Sequence, residues 1–168
     1  FFDGFGGGTT RERTLAIMKD SHIGSYGVIG LICYFLLLLQ LHHLPLGLLC
    51  ILVLSGDCWS KFCASQIVNY LPYARKEEDS KSKTVYNRMS RHELLAGFLC
   101  GLLPFVLLLP IKLWIATLFP LLTFFLLYRL MKRRLQGYTG DCCGATFLLC
   151  ELSFYLGCLL YTSDAADD

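Results

Sequence analysis

The sequence predicts an all-α fold, a polytopic transmembrane helix bundle of about five spans with an N-terminal interfacial helix. Three observations lead there. The chain is 55% hydrophobic over 168 residues, and its mean hydropathy of +0.53 is too high for an ordinary soluble domain. Its apolar residues gather in runs long enough to cross a bilayer. Its basic residues fall in short clusters between those runs, where they act as topology signals. With a net charge of only +2 and no continuous basic surface, nucleic acid is excluded as a partner. Of the nine cysteines, Cys33, Cys50, Cys63, Cys100, Cys150 and Cys158 lie inside apolar segments, where cysteine acts as a small hydrophobe; they read as free thiols. Cys142 beside Cys143, with Cys58 far upstream, lacks the paired spacing of a zinc site.

Each element follows in order. Thr9 and Glu12 have capping-box spacing, so a helix begins near Thr10 and runs to a glycine stop at Gly24. With Arg11, Arg13 and Lys19 among Leu15, Ile17 and Met18, it lies at headgroup level. On such a helix Arg13 and Asp20 share a face about 10 Å apart, suited to flanking a ligand; a solvated amphipathic helix is the plainer reading. Gly24 to Leu41 makes the first span, ending at His42-His43, an interfacial pair beside Pro45 with no assigned role. Leu46 to Tyr70 makes the second. It carries Asp57 and Lys61, neighbours at i,i+4, which form either a structural pair or the lining of a wet pathway.

The stretch from Pro72 to Glu93 is hydrophilic and holds six of the fifteen Lys and Arg residues, so it is a loop outside the bilayer. Leu94 to Leu109 and Ile111 to Leu130 then form a tight hairpin of two spans about Pro110. Gly137 to Asp141 opens the last segment, apolar from Gly144 to Tyr161 and interrupted by Glu151. Near mid-bilayer that carboxylate needs a partner. The start at Phe1 shows neither an initiator methionine nor a signal peptide. After Tyr161 the chain reads TSDAADD, like translated sequencing adapter. Residues 162–168 are therefore taken as a non-native tail, and 1–161 as a single membrane-embedded domain.

Basic residues are rich before the first span, absent from the next turn, rich again in 75–91, single at Lys112 and rich in 129–134. This positive-inside alternation puts the Asp3 stretch, the Arg75 loop and Thr139-Gly140-Asp141 on one, cytoplasmic, face. Carboxylates with Arg and Lys at such a face are the ingredients for holding Mg²⁺ and a diphosphate. Phosphoryl-type transfer needs little more than positioning and charge neutralisation. A transporter with a cytoplasmic gate would use similar residues.

Three motifs narrow this: Asp3-Gly4 with RERTLAIMKDSHIGSYG, Ser60-Lys61 with PYAR ending fifteen residues beyond Ser60, and GYTGDCCGA followed by Glu151. In their order and approximate spacing they resemble the cobalamin synthase family, adenosylcobinamide-GDP ribazoletransferase, across nearly the whole chain to Tyr161. The resemblance implies a multi-pass transferase of the prokaryotic inner membrane, with its site facing the cytoplasm. It would join adenosylcobinamide-GDP and α-ribazole, or the 5′-phosphate of the latter, with Mg²⁺ as cofactor and GMP as leaving group, late in vitamin B12 assembly. A homo-oligomer is left open.

Carried across residue by residue, Asp3 and Gly4 match the second half of the family's paired-aspartate motif, Asp20 and Ser21 its IM-basic-DS motif, Arg75 its Y-A-R and Asp141 its T-G-D. The resemblance thus implies Asp3, Asp20 and Asp141 as catalytic residues, Asp3 and Asp141 as metal ligands, and Asp20 as a ligand or a base. It implies Arg13, Ser21, Lys61 and Arg75 as substrate or phosphate contacts. Lys61 stands where the family pattern has arginine, keeping charge but losing the bidentate fork. The family's histidine and further aspartates are expected upstream of Phe1. Two rivals stay in view. A CDP-alcohol phosphotransferase-like enzyme would need A-R after Asp3-Gly4 and a following G-x3-D-x3-D, and neither is present. A non-enzymatic carrier would line its path with Asp57, Lys61 and Glu151.

Overall fold

The computed structural model describes residues 1–75 and 87–163. The middle of the predicted hydrophilic loop, residues 76–86, and residues 164–168 of the predicted tail lie outside the described residues. The elements are α1 (Phe2–Gly7), α2 (Arg11–Lys19), α3 (Ser25–Leu39), α4 (Leu46–Ser65), α5 (Ile67–Tyr70), α6 (Arg91–Leu108), α7 (Leu118–Arg134) and α8 (Gly140–Ser163), with 3₁₀ turns at Gln40–His43 and Ile111–Thr117. No strand occurs among the described residues. Five helical stretches are long and apolar enough to cross a membrane: Ser25–His43, Leu46–Tyr70, Arg91–Leu108, Ile111–Arg134 and Gly140–Thr162. The predicted all-α, five-span bundle is the observed architecture.

The polar lead-in holds one further helix and differs from the expectation in two ways. The Gly-rich stretch is itself helical, as α1, because it is packed: an added Cβ on Gly4 would come within 2.6 Å of Met18 Cγ. The cap of α2 is Thr10, whose Oγ1 accepts from the Arg13 amide at 3.2 Å, so Thr9 and Glu12 form no capping box. The helix also ends at Lys19, not Gly24. Asp20 has extended backbone (φ −69°, ψ 135°), and its carboxylate competes for the local donors, accepting from the His22 amide at 3.1 Å. Asp20 therefore does not share a helical face with Arg13.

The third span starts at Arg91 under a full capping box, with the Ser90 amide donating to Glu93 Oε2 at 2.6 Å and the Glu93 amide to Ser90 Oγ at 3.3 Å. Beyond Pro110 the chain does not enter an α-helix at once. Seven residues of 3₁₀ helix come first, steadied by Trp59 Nε1 donating to the Thr117 carbonyl and Trp114 Nε1 to Leu109, both at 3.1 Å. Pro120 falls in the first turn of α7, where a missing N–H costs nothing.

α8 is the central helix, packed between α4 and α7, while α6 covers the other side of α4. Cys150, Phe154 and Cys158 of α8 are fully buried against Leu52, Trp59, Phe105, Leu113 and Ala116. Gly56, Ser60 and Ala64 lie buried at four-residue steps along α4, a small-residue seam that permits close helix approach without the hydrophobic effect that drives packing in water. A second core of Met18, Ile67, Leu71, Met131, Leu135, Tyr138 and Cys142 ties α2 to the ends of the spans. All nine cysteines are free thiols, among them the six read so from their apolar settings. Asp57, Lys61 and Glu151 each have a partner. Lys61 Nζ lies 2.8 Å from Asp57 Oδ2, and Tyr155 donates its hydroxyl to Glu151 Oε1 at 2.6 Å.

Candidate functional site

The site is assembled at the polar end of the bundle from three segments distant in sequence. α3 has no cap of its own; Asp3 supplies one from α1. Its Oδ2 accepts from the Gly24 amide at 2.9 Å and its Oδ1 from the Gly27 amide at 2.8 Å. These two donations, Gly27 first, hold the Asp3 carboxyl below its ordinary range. One bond to each oxygen leaves lone pairs open toward the neighbouring pocket.

Asp20 caps the C-terminal end of α2 and turns the chain. His22 Nδ1 donates to its Oδ1 at 2.7 Å, and with the His22 amide this lowers the Asp20 pKa. Asp141 is the second residue of α8 and half-exposed.

A short two-stranded contact brings the Arg75 segment to Asp141. Tyr73 and Tyr138 form an isolated parallel bridge, with the Ala74 amide donating to Tyr138 O at 2.8 Å and the Tyr138 amide to Pro72 O at 2.9 Å. Gly137 is needed there, since a Cβ would come within 2.6 Å of Pro72 O. The bridge sets Arg75 Nη2 3.7 Å from Asp141 Oδ2. The Arg75 side chain is only 9% exposed, and among the described residues its Nε and Nη2 have no hydrogen-bond partner. A buried guanidinium with unmatched donors is costly unless something accepts from it.

Asp3, Asp20, Ser21 and Asp141 line one polar pocket of about 260 Å³, together with His22 and Gly27. Of the predicted site residues, the structure thus gathers these four, with Arg75 adjoining through Asp141. It does not bring in the other two. Arg13 is exposed on α2 and outside the pocket lining. Lys61 is paired with Asp57 and sits 5.4 Å over the Phe147 ring.

Two residues that sequence reading passed over hold the site together. Arg11 Nε donates to Leu135 O at 2.7 Å and its Nη2 to Ala74 O at 2.8 Å, so it grips both segments of the Tyr73–Tyr138 bridge. Reciprocally, Arg134 Nη2 donates to Phe5 O and Gly8 O of the α1 segment. Basic residues at a membrane boundary satisfy the positive-inside pattern equally well without such contacts, so the sequence carried no separate signal for them.

The donor set suits a hard divalent cation, because carboxylate oxygens are its preferred ligands. Among the described residues no three His, Cys, Asp or Glu side chains converge on one point. The fit is therefore to an ion held by one or two carboxylates, with phosphate oxygens and water completing its shell, which is how Mg²⁺ is ordinarily bound.

Comparisons with known proteins identify the family. Residues 1–159 match the family model for cobalamin-5-phosphate synthase. The chain is similar to proteins named adenosylcobinamide-GDP ribazoletransferase. That of Polaromonas sp. is 35% identical, over 92% of this chain and 62% of the relative. That of Shewanella amazonensis is 40% identical, over 97% and 65%, and that of Vibrio parahaemolyticus 37%, over 92% and 59%. The chain thus spans about three-fifths of the length of the curated relatives it matches. No solved structure matches it. The chain belongs to the cobalamin-5-phosphate synthase family.

Proposed function

We propose that the whole protein transfers the cobinamide-bearing phosphate of adenosylcobinamide-GDP to a hydroxyl of α-ribazole, or of its 5′-phosphate, with release of GMP. The names of the relatives supply the substrates, and the observation that carries the reading is Arg75. Its buried, unmatched donors beside an acidic pocket suit phosphate oxygens in the bidentate manner available to arginine alone.

In this reading the α-ribazole oxygen forms a new bond to phosphorus as the bond to the GMP oxygen breaks, and GMP leaves with the bridging oxygen. Asp20 takes the hydroxyl proton. Like any carboxylate it is ionised near neutrality, and the His22 contacts, both on Oδ1, lower its pKa and make it a weak base that acts through placement. Arg75 and Ser21 orient the diphosphate, which requires placement and charge neutralisation and no covalent nucleophile. Asp3 and Asp141 would hold Mg²⁺, whose part is to offset the phosphate charge when bound. Arg13 and Lys61, outside the pocket, are left to contact the more distant parts of two large substrates. The site faces the cytoplasm in this proposal, supported by the basic end of α7 lying against the α1 segment.

Purified full-length protein given labelled adenosylcobinamide-GDP and α-ribazole tests the reading against a membrane carrier. GMP release supports the transferase; uptake into vesicles without GMP sinks it.

A further inference from the structure

Leu126, Arg129, Leu130, Arg133 and Arg134 line an open groove of about 460 Å³ at the basic end of α7. Among the described residues no carboxylate lines it. Among the described residues Arg129 and Arg133, at i,i+4, have no polar partner there; the Arg129 guanidinium rests 5.0 Å from the Phe125 ring. From the groove an apolar strip runs into the span at four-residue steps, Leu130, Leu126, Leu122 and Leu118, and the last three are 57%, 58% and 57% exposed. Twelve residues of helix make it about 18 Å long, comparable to one acyl chain.

We infer that this groove is a binding site for an anionic phospholipid, with the headgroup phosphate on Arg129 and Arg133 and one acyl chain along the leucine strip. The guanidinium forks match phosphate oxygens, and several arginines without a carboxylate favour a headgroup with net negative charge over a zwitterionic one. Topology anchoring alone would need the charges but not the concavity that holds Arg129, Arg133 and Arg134 around one space. Arg134 gives the site a consequence, since it lines the groove while also holding the Phe5 and Gly8 carbonyls of the segment that carries Asp3.

The test is native mass spectrometry of the full chain in detergent, titrated with dioleoylphosphatidylglycerol or dioleoylphosphatidylcholine. The anionic lipid should be retained about tenfold more strongly. R129Q/R133Q should erase that preference, and R88Q/R91Q, which removes two basic residues elsewhere, should keep it. Equal retention of the two lipids overturns the proposal, as does an equal loss in R88Q/R91Q, which would mean diffuse charge. Displacement by soluble glycerophosphoglycerol at lipid concentrations also overturns it, because the site would then serve free phosphate esters. Should R129Q/R133Q fail to fold, a phosphatidylglycerol with a photoactivatable acyl chain replaces it. Crosslinks to Leu122 or Leu126 uphold the site, and crosslinks confined to other helices remove it.

Discussion

Arg75 and Asp141, 66 residues apart in sequence, meet with Nη2 and Oδ2 3.7 Å apart because the Tyr73–Tyr138 bridge sets their backbones side by side. That distance is too long for a hydrogen bond and, among the described residues, leaves Nε and Nη2 unmatched, open to a third group. In a complete homologue, Arg75→Lys should keep the charge but lose the fork. A fall in turnover on the order of 10²-fold is expected, the scale for losing one preorganised donor to developing charge. Steady-state GMP release measures it. Turnover within about threefold of the parent would show that the fork is not used.

Asp3 ties α1 to the start of α3 through the Gly24 and Gly27 amides. A Cβ on Gly27 would strike Asp3 Oδ2, and one on Gly24 would come within 2.5 Å of Oδ1. Gly27→Ala should therefore destabilise the fold by about 1–3 kcal/mol, the usual range for overpacking, as read from unfolding in mild detergent. An unchanged midpoint would mean that α1 moves away without loss.

The same contacts fix a pH dependence. The Asp3 carboxyl lies below its unfolded value in the folded chain, so the tie stabilises the fold above the unfolded carboxylate range, about pH 4. It is lost as pH falls through the lower, folded pKa. Unfolding midpoints recorded from pH 6 downward should fall for the parent and fall less for Asp3→Asn. Parallel slopes would dissociate Asp3 from the effect.

Arg11 donates to carbonyls on both sides of the bridge. Arg11→Gln leaves at least one of them unmatched, at a cost of about 1–3 kcal/mol. It should also weaken GMP release through loss of Arg75 placement. Full activity with reduced stability would confine Arg11 to a structural role.

The architecture was legible because a span announces itself by length and composition, as Leu46–Tyr70 does despite Asp57 and Lys61. The shared face of Asp3, Asp20 and Asp141 was legible through basic-residue alternation, and the Asp57–Lys61 pair through helical spacing. What stayed hidden depends on tertiary contact. Glycines argue against a helix at α1 until Met18 packs on Gly4. The α2 boundary is set by the Asp20–His22 turn rather than by the glycine beyond it. Arg11 reaches Leu135 across 124 positions, which no local pattern encodes. Lys61 carried a family motif into the sequence reading, yet its ammonium is held by Asp57, outside the pocket.

In the proposed reaction, phosphate is transferred in the pocket joining Asp3, Asp20 and Asp141 beside Arg75. Single-turnover GMP release by Asp141→Asn in a complete homologue tests it most directly, because the substitution keeps the shape and removes one negative charge. A fall on the order of 10²-fold or more is expected, with folding unchanged by circular dichroism. Turnover equal to that of the parent would contradict it and remove Asp141 from the site.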